Sequence, residues 1–397
     1  MEFYLFDHNF KVAAFNNKEV DSLYLTSTLL KFTKGLISVF VPIYLYELGF
    51  PIWQILGFYA LRSMYYLFFV HLSLGFLKKL SDKMMMSLGL PFLIVYFLGL
   101  NSLEGLSVLF FILPAAEALH MLLFWLGYHT DFTAASDTDH LGEEVGTRIM
   151  ITNFTKFVTP FLGGLLIAYL NFHYLFLIAS AILIISMIPL FFFPNRGMLT
   201  DLNLSKLWSY VTDKRILPFN FSALSYGSEK MTKIIIWPLF LFTVLGGTEQ
   251  LGGVISAGLL AGGVMTYLIG KTADHREDIS KKFVTGFTSG VSLTWIGKAL
   301  LVGAAKAIPA SVTHVVDNLF RRALIVNWRR KFYILSGRFK HPSAFVLSQE
   351  MLYHISRVII LPVFMLLAFS ISTSSFFLIS FLIASLLSVG FLGANQK

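Results

Sequence analysis

Residues 173–197 read HYLFLIASAILIISMIPLFFFPNRG. From 173 to 193 there is no Asp, Glu, Lys or Arg. A helix rises about 1.5 Å per residue and the hydrocarbon core is about 30 Å thick, so roughly 20 apolar residues suffice to cross it. Alternation of the strand type is missing, and lipid cannot hydrogen-bond an open backbone, so the stretch predicts a membrane-spanning helix. It ends at Pro194-Asn195-Arg196-Gly197, which opens a polar stretch over 194–216. A long apolar run stopped by a polar break near mid-chain predicts two apolar halves joined by a linker.

Working outward, the same pattern recurs. Twelve candidate spans fall at 22–47, 52–76, 84–101, 105–128, 147–170, 173–193, 217–245, 250–269, 283–304, 307–328, 344–369 and 373–392. The 397-residue chain is 56% hydrophobic and 13% charged, against about 25% charged in an ordinary soluble domain. A single soluble domain and a disordered chain are both excluded. There are no cysteines, which removes disulfides, thiolate metal sites and cysteine nucleophiles. The first 21 residues carry Asp7, Lys11, Lys18 and Glu19 and read as a short lead-in rather than a signal peptide.

Basic residues in short loops orient a membrane protein, because Lys and Arg stay on the cytoplasmic side. With the N-terminus inside, the inside loops hold Lys78, Lys79, Lys83, Arg196, Lys206, Lys214, Arg215, Lys271, Arg276, Arg321, Arg322, Arg329, Arg330 and Lys331, while Lys306 stands alone in an outside loop. Both termini are expected in the cytoplasm, in the cell membrane. The bias absorbs most of the net charge of +9, so no nucleic-acid partner is expected. One inside loop is acidic, with Asp131, Asp137, Asp139, Glu143 and Glu144. It reads either as a solvated loop or as a latch onto the basic loops.

An offset of 195–196 aligns landmarks of the two halves. Pro42 in FVPIYLYELG meets Pro238 in IWPLFLFTVLGG, Gln54 meets Gln250, Gly75 meets Gly270 and Pro114 meets Pro309. Together with the twelve spans, the inside termini and the long middle loop, this repeat resembles the major facilitator superfamily. GKTAD at 270–274, followed by Lys281 and Lys282, is similar to that family's loop between helices 8 and 9. The resemblance makes Gly270, Asp274 and Lys281 a conformational-switch loop. The first-half counterpart GFLKKLSDK, 75–83, departs from the pattern, with Lys79 where the aspartate falls. PFLGG at 160–164 resembles the helix-5 motif of antiporter branches, with Thr159 in place of the preceding glycine. The resemblance implies an all-α polytopic protein of two six-helix bundles, 22–193 and 217–397, flanking the linker 194–216. It implies that helices 1, 4, 7 and 10 line a cavity, with 2, 5, 8 and 11 beside them and 3, 6, 9 and 12 facing outward.

A charge at the bilayer centre costs at least about 2.5–3.5 kcal/mol, so intramembrane charges belong in a wet cavity or with one another. Their distribution matches the implied plan, with Lys298 in segment 9 as the exception, expected to snorkel outward or to fill a side crevice. The cavity set is basic: Lys31, Lys34, Arg62, Lys156, Lys230, Lys233 and Arg357 face Glu117, Glu229, Asp317 and Glu350. A focused positive potential favours an anionic solute. Lys34, Arg62, Lys233 and Arg357 are the expected substrate-binding residues, arginine being suited to a bidentate grip on carboxylate or phosphate. Glu117 with His120, and Asp317 and Glu350 beside His314 and His354, sit at spacings of three or four on one helix face. They serve either proton coupling and gating or static pairs such as Glu117 with Arg62 and Asp317 with Arg357.

The expected function is secondary active transport of a small anionic or zwitterionic solute by alternating access, with protons as partners, in a monomer. Efflux of drugs or amphiphiles is the second reading, and a non-transporting receptor or scaffold the third. No Walker loop, dinucleotide fingerprint, HExxH or GxSxG is present, so no enzyme activity, cofactor or metal is expected.

Overall fold

The computed structural model describes residues 18–135, 141–191, 202–273, 279–304, 306–339 and 341–395. Among them every regular element is a helix. In the first half these are α1 (Lys18–Ile37), α2 (Val41–Glu47), α3 (Ile52–Leu77), α4 (Asp82–Asn101), α5 (Val108–Ala135), α6 (Leu141–Leu170) and α7 (Phe172–Phe191). A short α8 (Leu204–Val211) leads to α9 (Leu217–Met231), a π-helical turn (Thr232–Ile236) and α10 (Trp237–Leu245). The chain then runs through α11 (Thr248–Ala273), α12 (Ile279–Leu301), α13 (Ala307–Arg338), α14 (Pro342–Ser370) and α15 (Thr373–Val389).

Local chemistry sets the boundaries. Ser81 Oγ accepts from Met84 N at 3.2 Å and caps α4, and Ser372 does the same for α15. Pro42, Pro218, Pro238 and Pro342 occupy first turns, where a missing N–H leaves no bond unmade. Gly246 closes α10 at φ 79°, a conformation costly for a residue with a Cβ. In the linker, a bidentate hydrogen bond from Arg215 holds the Asp213 carboxyl below the usual carboxylate range.

The exterior is apolar. Leu72, Phe76, Phe191, Leu300 and Leu386 are all exposed, while Arg62, Glu117, Lys298, Asp317 and Arg321 are buried. A soluble protein of this size would reverse that arrangement. Eight helical stretches, among them Phe172–Phe191, are long and apolar enough to cross a membrane by length and composition. The chain is therefore a multi-pass membrane protein. Helix also fills most of the other four expected segments.

Several expectations need correction. The connections expected at 129–146 and 328–343 are largely helical, because α5 runs on to Ala135, α6 starts at Leu141 and α13 continues to Arg338. Charge alone suggests a loop, yet a helix bonds its own backbone and needs no apolar surroundings to extend past the bilayer. Segment 1 is broken at Ser38–Phe40, and segment 7 contains the π-turn, so both landmark prolines follow an interruption. The acidic side chains of 131–144, Asp274 and the side chain of Lys281 lie outside the described residues, and of Gly270 only its place in α11 is described.

Two seams join the halves of the chain. Along α6 and α11, a methyl group on Gly164 would meet the Thr248 carbonyl, and one on Gly252 the Pro160 carbonyl. Phe161 N donates to Ser256 Oγ at 3.0 Å, and Thr248 Oγ1 donates to Gly164 O at 3.3 Å. The PFLGG motif thus serves close packing. Thr159, standing where a glycine was expected, is accommodated by Gly35 on α1, where any side chain would collide with it. Along α3 and α14, Trp53 meets Phe369 edge-on, and Tyr66 stacks on His354 with centroids 3.8 Å apart. α2 also packs against α10. Glycines four residues apart on α11 and α12, a spacing suited to close helix packing, are used in part: Gly258 abuts His314 and Asn318, Gly262 abuts Arg322 and Gly290 abuts Phe320, but Gly286 faces open space.

Candidate functional site

Between the seams lies a cavity of about 380 Å³. The interruptions in α1–α2 and α9–α10 flank it. π-turns put a one-residue bulge into a helix and occur frequently at functional sites. Here the bulge carries Lys233, one turn after Lys230, and both line the cavity. Lys34 from α1 faces them. Lys34 and Lys230 stand 196 positions apart, the same offset that relates Pro42 to Pro238. Two lysines related by that offset therefore line the same space.

All four expected substrate residues, Lys34, Arg62, Lys233 and Arg357, line this cavity, with Lys156 from α6 and Lys230. Among the described residues, Glu117 is the one carboxylate in the wall. Its two oxygens accept from Arg62 Nη1 at 3.0 and 3.1 Å, and Arg62 also lies over the Tyr59 ring at 4.7 Å. The expected pair of Glu117 with Arg62 is thus present. Arg357 Nη1 lies 3.2 Å from His354 Nε2. Among the described residues, no carboxylate pairs with Lys34, Lys156, Lys230, Lys233 or Arg357.

The other acids are placed differently. Asp317 is not in the wall and does not pair with Arg357. It accepts from Arg321 Nη2 at 2.8 Å and from Thr294 Oγ1 at 2.9 Å, and pairs with Lys298 at 3.0 Å. Glu229 sits in the same group, held by Arg321 Nη1 at 2.5 Å and Trp295 Nε1 at 2.7 Å. Arg321, read as a loop residue, is buried, and Lys298 is 0% exposed, so it does not snorkel. Lys298 lies over the Trp295 ring at 3.8 Å and the Trp237 ring at 4.5 Å. Two acids and two bases close into a buried group of no net charge.

Glu350 lies outside the wall. So does His120, which is fully buried with Nδ1 3.0 Å from the Gly89 carbonyl and ties α5 to α4. His314 does face the cavity; Trp237 Nε1 donates to its Nδ1 at 2.9 Å, which makes that nitrogen an acceptor. Leu93, Tyr96 and Phe97 of α4 also line the space, although segment 3 was expected to face outward. Asn318 and Pro160 complete the polar and kinked parts of the wall. Asn318 follows His314 by one turn, a spacing that could have exposed it; the α4 residues gave no such signal, being apolar and aromatic like any lipid-facing residue.

A helical bundle with an apolar exterior, interrupted first and seventh segments and a charged central cavity defines a class: membrane proteins of the major facilitator fold. Among solved structures, that of the nucleoside transporter NupG matches with a TM-score of 0.70 at 12% identity, covering 96% of this chain and 100% of that one. A POT family transporter in complex with 5-aminolevulinic acid matches at 0.71 and 12%, covering 96% of each chain. Another POT family transporter, in complex with a thioalcohol-conjugated peptide, matches at 0.70 and 12%, covering 93% and 94%. At these identities the likeness is one of fold. No family model matches the sequence, and no curated protein matches it.

Proposed function

We propose that this chain is a secondary active transporter that moves a small anionic or zwitterionic solute by alternating access, with protons as the coupling ion. The observation that carries this reading is the cavity wall, in which Lys34, Arg62, Lys156, Lys230, Lys233 and Arg357 face Glu117 alone. A low-dielectric cleft lined by one sign of charge concentrates solutes of the other sign. The wall argues against lipophilic cations, and so against the efflux reading. The likeness in fold to a transporter that holds 5-aminolevulinic acid, an amino-bearing carboxylic acid, supports the anionic or zwitterionic choice.

In this reading 22–193 and 217–397 are two six-helix bundles joined by 194–216 and preceded by the lead-in 1–21. Twelve helices cross the cell membrane, both termini are cytoplasmic, and the monomer is the working unit. Lys34, Arg62, Lys233 and Arg357 bind the solute. Glu117 carries the proton: when it is neutral, Arg62 is released to take the solute's carboxylate, and when it ionises it reclaims Arg62. Asp317, Glu350 and His120 hold the helices that frame the site. Gly270, Asp274 and Lys281 form the loop that changes partners between states.

The test is flux. Purified protein in liposomes, given a panel of radiolabelled amino acids, short peptides and carboxylates, should accumulate at least one against its gradient when the exterior is acidified. Binding without accumulation would move the protein to the receptor reading, and no binding of any anion or zwitterion would sink the proposal.

A further inference from the structure

The lining charges go beyond what a monoanion or a zwitterion would balance. Arg62 is bonded to Glu117, and the Glu229, Asp317, Lys298, Arg321 group is closed on itself. Lys34, Lys156, Lys230, Lys233 and Arg357 are left facing one cavity of about 380 Å³ with no carboxylate partner among the described residues. Arg62 and Arg357 are 6% and 3% exposed, and each keeps a buried Nε with no hydrogen-bond partner. Buried polar groups are ordinarily satisfied, so these two unfilled guanidinium donors call for an acceptor that enters with the solute. The other four cations that face the cavity without a carboxylate partner are lysines, each a compact point charge with three rotatable N–H groups. They suit crowded anionic oxygens on one small molecule better than a single planar carboxylate.

Resting on the reading of this cavity as the solute site, we propose that the solute is a small organic polyanion, with two or more negative charges, gripped at once by Lys34 of α1 and Lys230 of α9. These lysines occupy equivalent positions of the two halves, so the anion lies on the pseudo-symmetry axis and bridges both. Lys156 and Lys233 flank it, and Arg357 closes the side toward α14. A phosphate monoester and a di- or tricarboxylate share this chemistry. The cavity is near the lower end of the roughly 300–1,000 Å³ usual for small-molecule sites, which limits the solute to a small one.

The experiment measures the melting temperature of purified, detergent-solubilised protein at constant ionic strength, since a ligand of the native state raises it with occupancy. The probes are glycerol 3-phosphate, succinate and citrate, against butyrate, glycine and glycerol, on wild type, Lys34→Gln, Lys230→Gln and the charge-retaining Lys34→Arg. The expected result is a shift with one or more polyanions and none with butyrate, glycine or glycerol. Removing either lysine should weaken the half-maximal concentration by roughly tenfold or more, as for a lost charge-assisted contact, and Lys34→Arg should restore most of it. A phosphate-selective or carboxylate-selective shift decides which polyanion is meant. Equal shifts with butyrate or glycine would overturn the polyanion while leaving the reading as an anion or zwitterion transporter intact. No shift with any anion would overturn both. A polyanion shift unchanged in both glutamine variants would overturn the lysine bridge. The melting temperatures of the unliganded variants report that each has folded.

Discussion

At the scale of single residues, two carboxylates have opposite environments, and each carries a prediction. Glu117 faces the cavity with Arg62 as its partner. Glu117→Gln keeps the shape, mimics the neutral carboxyl that releases Arg62, and cannot ionise. It should abolish accumulation driven by a pH gradient while retaining exchange of solute across the membrane; unchanged accumulation in proteoliposomes would remove Glu117 from the coupling step. Asp317 is enclosed by Lys298, Arg321 and Thr294. Asp317→Asn strips the countercharge from two buried cations. Breaking a buried pair from one side costs about 3–5 kcal/mol, so the unliganded protein should melt lower. Lys298→Met in addition removes one orphaned charge and should recover a large part of the loss, read as a non-additive double-mutant cycle. The sequence could show Asp317 and Arg321 as neighbours one turn apart. It could not show Lys298, because that side chain arrives from α12, and linear spacing says nothing about which helix stands opposite.

At the scale of elements, the legible parts were those whose signal is local. Residues 173–197 announced a helix and its end, and the charged positions of α1, α3, α5 and α14 marked helices that do reach the cavity. The role of α4 was hidden, since Tyr96 and Phe97 are chemically indistinguishable from aromatic residues that face lipid. The π-turn at Thr232–Ile236 was hidden too, because a one-residue bulge in an apolar helix leaves no compositional trace. PFLGG was visible as a motif but its work was not: Gly163 and Gly164 let α6 lie against the backbones of α1 and α11. That packing predicts the effect of bulk. Gly252→Leu would drive a side chain into the Pro160 carbonyl and the Gly164 Cα. Overpacking costs about 1–3 kcal/mol, here only in the state in which this seam is closed. The substitution should slow solute flux by about tenfold or more, from the factor that 1.4 kcal/mol represents, while solute binding in detergent changes little. Flux equal to wild type would show that the seam does not open during the cycle.

At the scale of the whole molecule, the seams show where packing ties the two parts of the chain together. α2 packs on α10, Trp53 meets Phe369, and Gly164 meets Gly252, all toward the end of the bundle that carries the α2 and α10 termini. No comparable packing joins α1 to α9 among the described residues. At the opposite end Leu74 and Leu77 of α3 share a buried cluster with Leu347 and Met351 of α14, so packing ties both ends of the α3–α14 seam. An alternating cycle would have to part the α3–α14 and α6–α11 contacts at the α2 and α10 end in one of its states. The absence of cysteine makes this testable, because two introduced thiols are the only ones present. The double variant Trp53→Cys with Phe369→Cys puts one thiol on each side of a contact whose rings now sit with centroids 6.0 Å apart. A reducible bifunctional thiol reagent, long enough to span the space the rings leave, should cross-link the pair in the absence of solute and abolish flux, and reduction should restore flux, since tying this end removes one of the two states. Adding a transported solute should slow the cross-linking, because binding that favours reorientation draws population away from the state in which this end is packed. Full flux in the cross-linked protein would mean that this end need not part for solute to cross, and the movement assigned to these two seams would be wrong.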